Sequence, residues 1–382
     1  MREMAECGFN ASCFISPKQA DACRAAGLDM YIFMGDHYNR NLIPLAADKT
    51  ATEEQIRATL NPLLDAIPED AAAIYILDEP STREFPNLGT MARCVRERFP
   101  DAEPYFNLFP NYAVCGAADI SQLGAETYEE YLDAFARIVK PDAISLDNYF
   151  TTISMDFTDG GDARQQYFLN LIQARECCKK YGLPFQHIVN CNQLRAHLVP
   201  PSFANLAFQA YTSLAAGAKA IGWFTYIGRG EYLFAPIDDT TGKHIKTDTW
   251  YMLREVNRRI MPVGNLLFDM EWVDMYFTDY DRIPRAKPIS ACGAILNFSS
   301  DAPCMIGHFK DTNGEDVFLL VNTSLERSSR IYIDLDDELS VFSHNEGRFA
   351  KPLLQNASGA KSPLWLNAGC GMVLKKEKIN RL

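Results

Sequence analysis

Residues 71–80 have the sequence Ala71-Ala72-Ala73-Ile74-Tyr75-Ile76-Leu77-Asp78-Glu79-Pro80, an apolar run that stops at two carboxylates and a proline. Such a run is typical of a strand covered on both faces, as in a parallel sheet. Pro80 cannot donate a ladder hydrogen bond, so we expect the strand to end at the carboxylates, with Glu79 at its C-terminal tip. On its own, Asp78-Glu79-Pro80 would equally fit a solvated turn that carries two acids.

Length and charge limit the classes of function. A chain of 382 residues exceeds the size at which one hydrophobic core usually suffices, so a large domain with a smaller one is expected. The net charge of -12 argues against nucleic acid and anionic membrane surfaces as partners, because phosphates are bound by cationic surfaces. The charge suits a neutral or cationic ligand.

The cysteines and the apolar segments bear on location. Eleven cysteines are scattered without metal-type pairing, which predicts reduced, mainly buried thiols and a cytoplasmic setting. No segment has the apolar length of a membrane helix, and the N-terminus lacks the apolar core of a signal peptide. We expect the chain to open inside a β/α repeat and its N-terminus to be truncated, so that a lost signal peptide is compatible with the sequence.

Strands and helices alternate around residues 71–77. Seven strands are predicted, at residues 9–14, 30–34, 71–77, 104–109, 143–149, 185–192 and 220–226. Helices are predicted at residues 16–26, from Thr52 onward, and at 88–98, 127–139, 163–181, 203–216 and 247–260. This alternation favours an α/β fold with a parallel sheet, and a (β/α)8 TIM barrel fits better than a doubly wound sheet. The barrel's first strand is expected before Met1.

The helical period vanishes beyond about Leu267. Short alternating runs such as residues 317–321 and 330–335 are separated by turn signals that include Asn313-Gly314. The sequence therefore predicts a barrel at residues 1–267 and an antiparallel β-sandwich at residues 268–382, with a linker near residues 279–288.

Polar and aromatic side chains collect where the predicted strands end. The candidate substrate-binding residues are Asp36, His37, Asp78, Asn107, Tyr112, Asn148, Tyr149, Asn190, Asn192, Trp223 and Tyr226. Amides and acids bond hydroxyl groups in pairs, and an aromatic face covers the apolar side of a sugar ring. We therefore expect a site for a glycoside or oligosaccharide.

Glycosidic cleavage requires two carboxylates in different environments. Glu79 is the candidate acid, because burial at a strand end and the neighbouring Asp78 would both raise its pKa. Asp147 is the candidate second carboxylate, since its strand lies two along from that of Glu79. A structural ion pair for Glu79, and hydrogen bonding to a ligand or a loop for Asp147, are the alternatives.

Several segments of the predicted barrel together carry a resemblance to known proteins, namely residues 76–80, 105–112, 128–132, 145–149, 214–221 and 224–226. They resemble (β/α)8 glycoside hydrolases of the clan that carries its acid/base glutamate after strand four, and in particular bacterial family-42-like or beta-galactosidase-like proteins. The resemblance runs from about Cys7 into the β domain. Counting the strand expected before Met1, it implies that Glu79 follows strand four.

The sequence departs from that clan at one position. The clan's nucleophilic glutamate follows strand seven, whereas residues 189–193 here are Val189-Asn190-Cys191-Asn192-Gln193 and contain no acid. Asp147 is then the first choice for the second carboxylate, and Glu231 the second choice. A protein that hydrolyses nothing by this route is the third.

Other classes of function stay open. A noncatalytic glycan-binding protein is the main alternative, and a sugar lyase or isomerase would be expected to show a metal cluster or a strand-end lysine. His37 and His187 are expected to be structural, no metal or organic cofactor is expected, and a homo-oligomer is compatible with the sequence. A separation of about 5 Å between the Glu79 and Asp147 carboxyl groups would predict retention of configuration and about 6.5 to 9.5 Å inversion, while more than ~12 Å would exclude the pair.

Overall fold

The computed structural model describes residues 1–117, 120–194, 198–227, 233–235, 240–335, 338–352 and 363–377. Contacts within the chain divide it into two compact units. The first unit comprises residues 1–147 and 173–186, and the second unit comprises residues 148–172 and 187–382. Within the described ranges, no helix is both long enough and apolar enough to cross a membrane.

The fold is a mixed α/β one. Its α-helices are α1 (Arg2–Glu6), α2 (Ala20–Ala26), α3 (Ile43–Ala47), α4 (Glu53–Leu64), α5 (Phe85–Arg98), α6 (Tyr128–Val139), α7 (Phe150–Ile153), α8 (Asp162–Tyr181), α9 (Phe203–Ala215) and α10 (Asp248–Phe268). Its strands are β1 (Ala11–Ile15), β2 (Asp29–Ile32), β3 (Ala73–Asp78), β4 (Glu103–Asn107), β5 (Ile144–Asp147), β6 (Phe185–Asn190), β7 (Ala218–Phe224), β8 (Phe234–Ala235), β9 (Ile245–Lys246), β10 (Glu271–Phe277), β11 (Ile295–Ser300), β12 (Cys304–Lys310), β13 (Asp316–Asn322), β14 (Ser329–Leu335), β15 (Glu338–Ser343), β16 (Arg348–Ala350), β17 (Leu364–Leu366) and β18 (Gly371–Glu377). This order confirms the predicted β/α alternation followed by antiparallel strands.

A parallel sheet with the strand order β1-β2-β3-β4 lies in the first unit. β5 continues it, because Leu108 pairs in parallel with Leu146 and its N–H donates to the Ser145 carbonyl oxygen at 2.9 Å. The predicted buried strand is confirmed as β3, in which only the last residue, Asp78, is exposed. Carboxyl ends of parallel strands lie at one edge of a sheet, so the ends of β3, β4 and β5 face the same way.

Local signals fix the helix ends of the first unit. Thr52 caps α4: its hydroxyl accepts from the Gln55 N–H at 3.3 Å, and the Gln55 side chain accepts from the Thr52 N–H at 2.8 Å. This confirms the predicted capping box. Gly27 ends α2 with φ of 68°, a left-handed conformation in which glycine avoids the strain of a side chain.

In the second unit, α10 continues past its predicted end. The sequence predicts a helix at residues 247–260, and Pro262 just beyond it cannot donate a helical hydrogen bond. The helix instead runs to Phe268 with Pro262 inside it. Val263 and Leu267 beyond the proline are buried, so burial of the apolar face offsets the lost hydrogen bond.

Two antiparallel sheets form the C-terminal part of the second unit. One has the strand order β10-β12-β13-β18-β15-β16, and the other has the order β11-β14-β17. A single apolar core joins them and includes Tyr276, Ile306, Phe318, Ile331 and Leu374. α9 packs against β12, β13 and β18 as well as against β7. The strands of this sheet and β7 therefore bury α9.

Gly307 on β12 allows this close approach of α9. A Cβ atom at Gly307 would lie 2.2 Å from the Ala215 carbonyl oxygen, which is backbone and cannot rotate away. We expect Gly307→Ala to lower the free energy of unfolding by about 3 kcal/mol, measured by urea unfolding of the full chain. Gly293→Ala is the matched control, since a Cβ there meets nothing within 4 Å. Equal stability of the two variants would contradict this account.

Candidate active site

The chain turns sharply where β3 ends. Glu79 has φ of 45°, in the left-handed region that residues other than glycine rarely occupy, and its N–H donates to the Asn107 carbonyl oxygen at 2.8 Å. Asp78 is exposed, Glu79 is half-buried and Pro80 is buried. A strained residue at the carboxyl end of a parallel strand is often part of a functional site, because surrounding contacts must hold it there.

The environment of Glu79 favours its protonated form. Burial, and secondarily the negative charge of Asp78, raise the pKa of Glu79 to about 7. These are the two causes that the sequence predicts. A glutamate that titrates near neutrality carries its proton on about half of the molecules, which is the condition for a general acid at that pH.

This raised pKa has a consequence for stability. The folded protein holds the Glu79 proton more tightly than the unfolded chain does, so the free energy of unfolding falls as the pH rises from about 4.5 to about 7. Glu79→Gln is expected to remove this loss and to stabilise the protein by about 1 to 2 kcal/mol at pH 8, after allowance for solvent screening. Urea unfolding at pH 4.5 and pH 8 measures it. A gain of the same size at both pH values would contradict the expectation.

Asp147 ends β5 and is 4% exposed. Burial raises the pKa of the buried Tyr131 phenol well above its ordinary range, and the charges of Tyr128, Glu79 and Asp147 add to the effect. Glu79 and Asp147 therefore both act electrostatically on the same hydroxyl group.

Asn107 at the end of β4 completes this group. Its side chain is 4% exposed, and its Nδ2 donates to Asp78 Oδ1 at 3.2 Å. This contact fixes the orientation of the Asn107 side-chain amide, whose oxygen, Oδ1, is left as the hydrogen-bond acceptor. No hydrogen-bond partner for that oxygen is found among the described residues. The structure thus brings together Asp78, Glu79 and Asn107 of the predicted set, while Asp147 ends the next strand, β5.

A group of aromatic rings in the first unit was not predicted as part of the site. Phe14 lies 4.5 Å from Tyr75 and 5.5 Å from Phe33 between ring centroids, and Phe33 lies 5.0 Å from Tyr38. The Tyr38 hydroxyl accepts a hydrogen bond from the Asp78 N–H at 2.9 Å. Phe14 is 51% exposed, which is unusual for a phenylalanine. Aromatic residues at or just after the ends of β1 and β2 were the available signal.

The other predicted residues of the first unit lie at its surface. Asp36 and His37 are exposed and precede a π-helical turn, Tyr38–Leu42, that the sequence does not predict. The His37 Nδ1 atom lies 3.1 Å from Asn41 Oδ1 within that turn. Tyr112 follows β4 and is 38% exposed. These three residues are accessible to a ligand.

In the second unit, Asn148 and Trp223 make internal hydrogen bonds. The Asn148 side chain donates to Asn170 Oδ1 at 2.9 Å and accepts from the Phe150 N–H at 3.1 Å. Trp223 Nε1 donates to Asn257 Oδ1 at 3.0 Å. Both side chains therefore hold neighbouring helices in place.

The carboxamides at the end of β6 form an internal network. The Asn190 N–H donates to Gln209 Oε1 at 2.9 Å, and Asn190 Oδ1 accepts from the Asn192 N–H at 2.8 Å. Asn192 Nδ2 donates to the Thr225 carbonyl oxygen. The position where the resembled clan has its nucleophile thus holds buried amides.

Tyr149 and Tyr226 have different surroundings within the second unit. Tyr149 stacks on Phe224 with ring centroids 5.4 Å apart, and Phe224 is 39% exposed. Tyr226, predicted at the rim, is only 8% exposed, and its hydroxyl accepts from Trp250 Nε1 at 3.1 Å. Glu231, the second choice for the opposing carboxylate, lies outside the described residues.

A cavity of the first unit lies elsewhere. It has a volume of about 850 Å³ and lies among α6, the end of α8 and residues 116, 117 and 124–126, with neither Glu79 nor Asp147 in its lining. Among the described residues, no group of three or more His, Cys, Asp and Glu side chains has the arrangement of a metal site.

Comparison with known proteins gives similarity of fold. No protein-family model matches the sequence, and no curated protein sequence matches it significantly. Among solved structures, a rhamnosidase from Novosphingobium sp. PP1Y has a TM-score of 0.50 at 9% identity over 86% of this chain and 48% of its own. An alpha-amylase from Geobacillus thermoleovorans has a TM-score of 0.48 at 7% identity, covering 95% and 80% of the two chains. An alpha-L-arabinofuranosidase from Thermotoga maritima has 0.42 at 9%, covering 94% and 77%.

All three are glycosidases by name, and this chain spans about half the length of the rhamnosidase. At these identities the likeness concerns the fold alone. The chain therefore shares its overall fold with the rhamnosidase.

Proposed function

We propose that this protein is a glycoside hydrolase with a (β/α)8 barrel, in which Glu79 donates a proton and Asp147 is the opposing carboxylate. The observation that carries the proposal is the environment of Glu79. It is a half-buried acid at the carboxyl end of a parallel strand, and burial and Asp78 raise its pKa to about 7. Parallel barrels place their catalytic groups at that edge.

The two carboxylates have different roles in the proposed reaction. Protonated Glu79 gives its proton to the leaving-group oxygen as the glycosidic bond breaks, and its pKa near neutrality makes that transfer efficient. Ionised Asp147 then acts either as the nucleophile at the anomeric carbon or as the base that deprotonates water. The first role retains the anomeric configuration and the second inverts it.

The surroundings of Glu79 support a sugar as the ligand. The exposed Asp78 carboxylate can accept hydrogen bonds from sugar hydroxyl groups, and the Asn107 side-chain amide, which donates to Asp78 Oδ1, fixes its orientation. The exposed face of Phe14 offers an apolar surface of the kind that packs against a pyranose ring. We propose a glycoside or oligosaccharide as the substrate.

A noncatalytic glycan-binding protein is the second candidate. The observation that favours it is the pair of buried amides, Asn190 and Asn192, where the resembled clan has its nucleophile. Such a protein would keep the polar and aromatic groups that bind sugar. It would lose only the bond cleavage.

One assay separates the two candidates. The parent protein and Glu79→Gln are tested on a panel of aryl glycosides and oligosaccharides. The matched control is Glu103→Gln, because burial also raises the pKa of Glu103 to about 7, yet Glu103 begins β4 and its carboxylate accepts from Gln186 Nε2 at 2.8 Å. Loss of turnover in Glu79→Gln alone supports the proposal. Unchanged turnover in that variant overturns the acid assignment, and binding without turnover by the parent favours the second candidate.

A further inference from the structure

Two tyrosine hydroxyls contact the backbone on either side of Glu79 in the sequence. The Tyr38 hydroxyl accepts from the Asp78 N–H at 2.9 Å, and the Tyr131 hydroxyl donates to the Pro80 carbonyl oxygen at 2.7 Å. Between them, Glu79 has the left-handed φ of 45°. Because an L side chain disfavours this conformation, contacts on both neighbouring residues are needed to keep it.

Tyr131 links the segment after β3 to the segment after β4. Its hydroxyl also accepts from the Phe109 N–H at 3.4 Å, and its ring packs 5.5 Å from Phe85 and 5.9 Å from Tyr128 between centroids. The side chain is fully buried. Its place on α6 is set by the Thr127 capping box that begins the helix. The capped start of α6 thus positions the Tyr131 hydroxyl group at the Pro80 carbonyl oxygen.

Burial and nearby charges keep the Tyr131 hydroxyl group protonated, so that it can donate a hydrogen bond. Burial is the main cause that raises the pKa of its phenol, and the negative charges of Glu79 and Asp147 add to it. The phenol is therefore protonated at neutral pH. Its single proton remains available for the Pro80 carbonyl oxygen.

We propose that Tyr131 and Tyr38 are positioning residues that hold the Asp78-Glu79-Pro80 segment, so that the Glu79 carboxyl group stays in its half-buried environment beside Asp78. The effect that this positioning is expected to have on turnover rests on the proposed function, whereas its effect on the titration of Glu79 does not. Tyr131 contributes the larger share, because its hydroxyl is buried and connects two strand ends.

Tyr131→Phe removes one oxygen atom and leaves the ring packing in place. The Pro80 carbonyl group then loses its donor, and we expect the segment to relax toward solvent to recover a hydrogen bond. Hydration of Glu79 lowers its pKa toward the ordinary value of a glutamate. We expect the midpoint of its titration to fall by about one pH unit.

The midpoint is measured by carbon NMR of the side-chain carboxyl groups in protein labelled at glutamate. Because Glu79 and Glu103 both titrate near pH 7, Glu79→Gln and Glu103→Gln assign the two signals. Tyr128→Phe is the matched control. Its hydroxyl lies on the same helix and donates to the Phe109 carbonyl oxygen at 2.8 Å, away from the Asp78-Glu79-Pro80 segment.

The outcomes decide the proposal. A lowered Glu79 midpoint in Tyr131→Phe with an unchanged one in Tyr128→Phe supports it, and an unchanged midpoint in folded Tyr131→Phe, or an equal fall in the control, overturns it. If Tyr131→Phe does not fold, the partly exposed Tyr38→Phe provides the same readout with the same two results.

Kinetics then separate this proposal from the proposed function. If the parent hydrolyses glycosides, Tyr131→Phe should lower kcat by about 10- to 100-fold with little change in KM, and shift the alkaline limb of the kcat profile to lower pH. If the parent hydrolyses glycosides but Tyr131→Phe leaves the alkaline limb of the kcat profile unchanged, the positioning role is overturned and the proposed function stands. A moved Glu79 midpoint in a protein without hydrolysis supports the positioning role and removes the function.

Discussion

Glu79→Gln is expected to slow hydrolysis of glycosides with poor leaving groups by about 10²- to 10⁴-fold, the usual contribution of a general acid. An alcohol or sugar leaving group needs a proton as the bond breaks, and a carboxamide cannot supply it. A dinitrophenolate leaves without that help, so bond cleavage in aryl glycosides of this kind should be affected far less. Steady-state rates across a series of leaving groups measure the difference.

The control for this series is again Glu103→Gln, whose rates should follow those of the parent on every substrate. Equal slowing of good and poor leaving groups in Glu79→Gln would show that the residue does not act as the proton donor. In a retaining mechanism the same residue also activates water in the second step. Azide should then rescue the Glu79→Ala variant by taking the place of that water.

Asp147→Asn is expected to lose activity by at least about 10³-fold on all substrates, whatever their leaving groups. The opposing carboxylate is needed for the attack on the anomeric carbon, and a better leaving group does not replace it. Rates on an activated aryl glycoside measure the loss. Asp142→Asn is the matched control, because Asp142 is exposed and pairs with Arg96 at 3.1 Å.

Substantial activity in Asp147→Asn would contradict its role and move the assignment to Glu231, tested by Glu231→Gln in the same assay. Where Asp147 is required, the anomer formed first distinguishes its two roles. Proton NMR of the product during the first minutes shows retention for a nucleophile and inversion for a base.

Features with a local cause could be predicted from the sequence. The apolar run before Asp78 specifies a buried strand because a parallel strand is covered on both faces, and Thr52 with Gln55 specifies a helix start through two short-range hydrogen bonds. The causes of the raised pKa of Glu79 were also predictable, since Asp78 is its sequence neighbour and burial follows from the strand.

Features that depend on contacts far apart in the chain could not be predicted. Tyr131 is 51 residues from Pro80, and no periodicity shows that its hydroxyl reaches that carbonyl group. The burial of Tyr226 follows in the same way from its contact with Trp250, 24 residues on. For α10, the predicted end near Ile260 falls short of Phe268, and the burial of Val263 and Leu267 beyond Pro262 explains why the helix continues.

The close packing of α9 limits how the second unit can evolve. A Cβ atom at Gly307 would meet the Ala215 carbonyl oxygen at 2.2 Å, and one at Gly369 would meet the Ala204 carbonyl oxygen at 2.0 Å. Both contacts join the C-terminal sheets to the backbone of one helix. Recombination that exchanged those sheets for another β domain would therefore succeed only if the new domain also had glycine, or open space, at both places. The helix and the two glycines are expected to be inherited together.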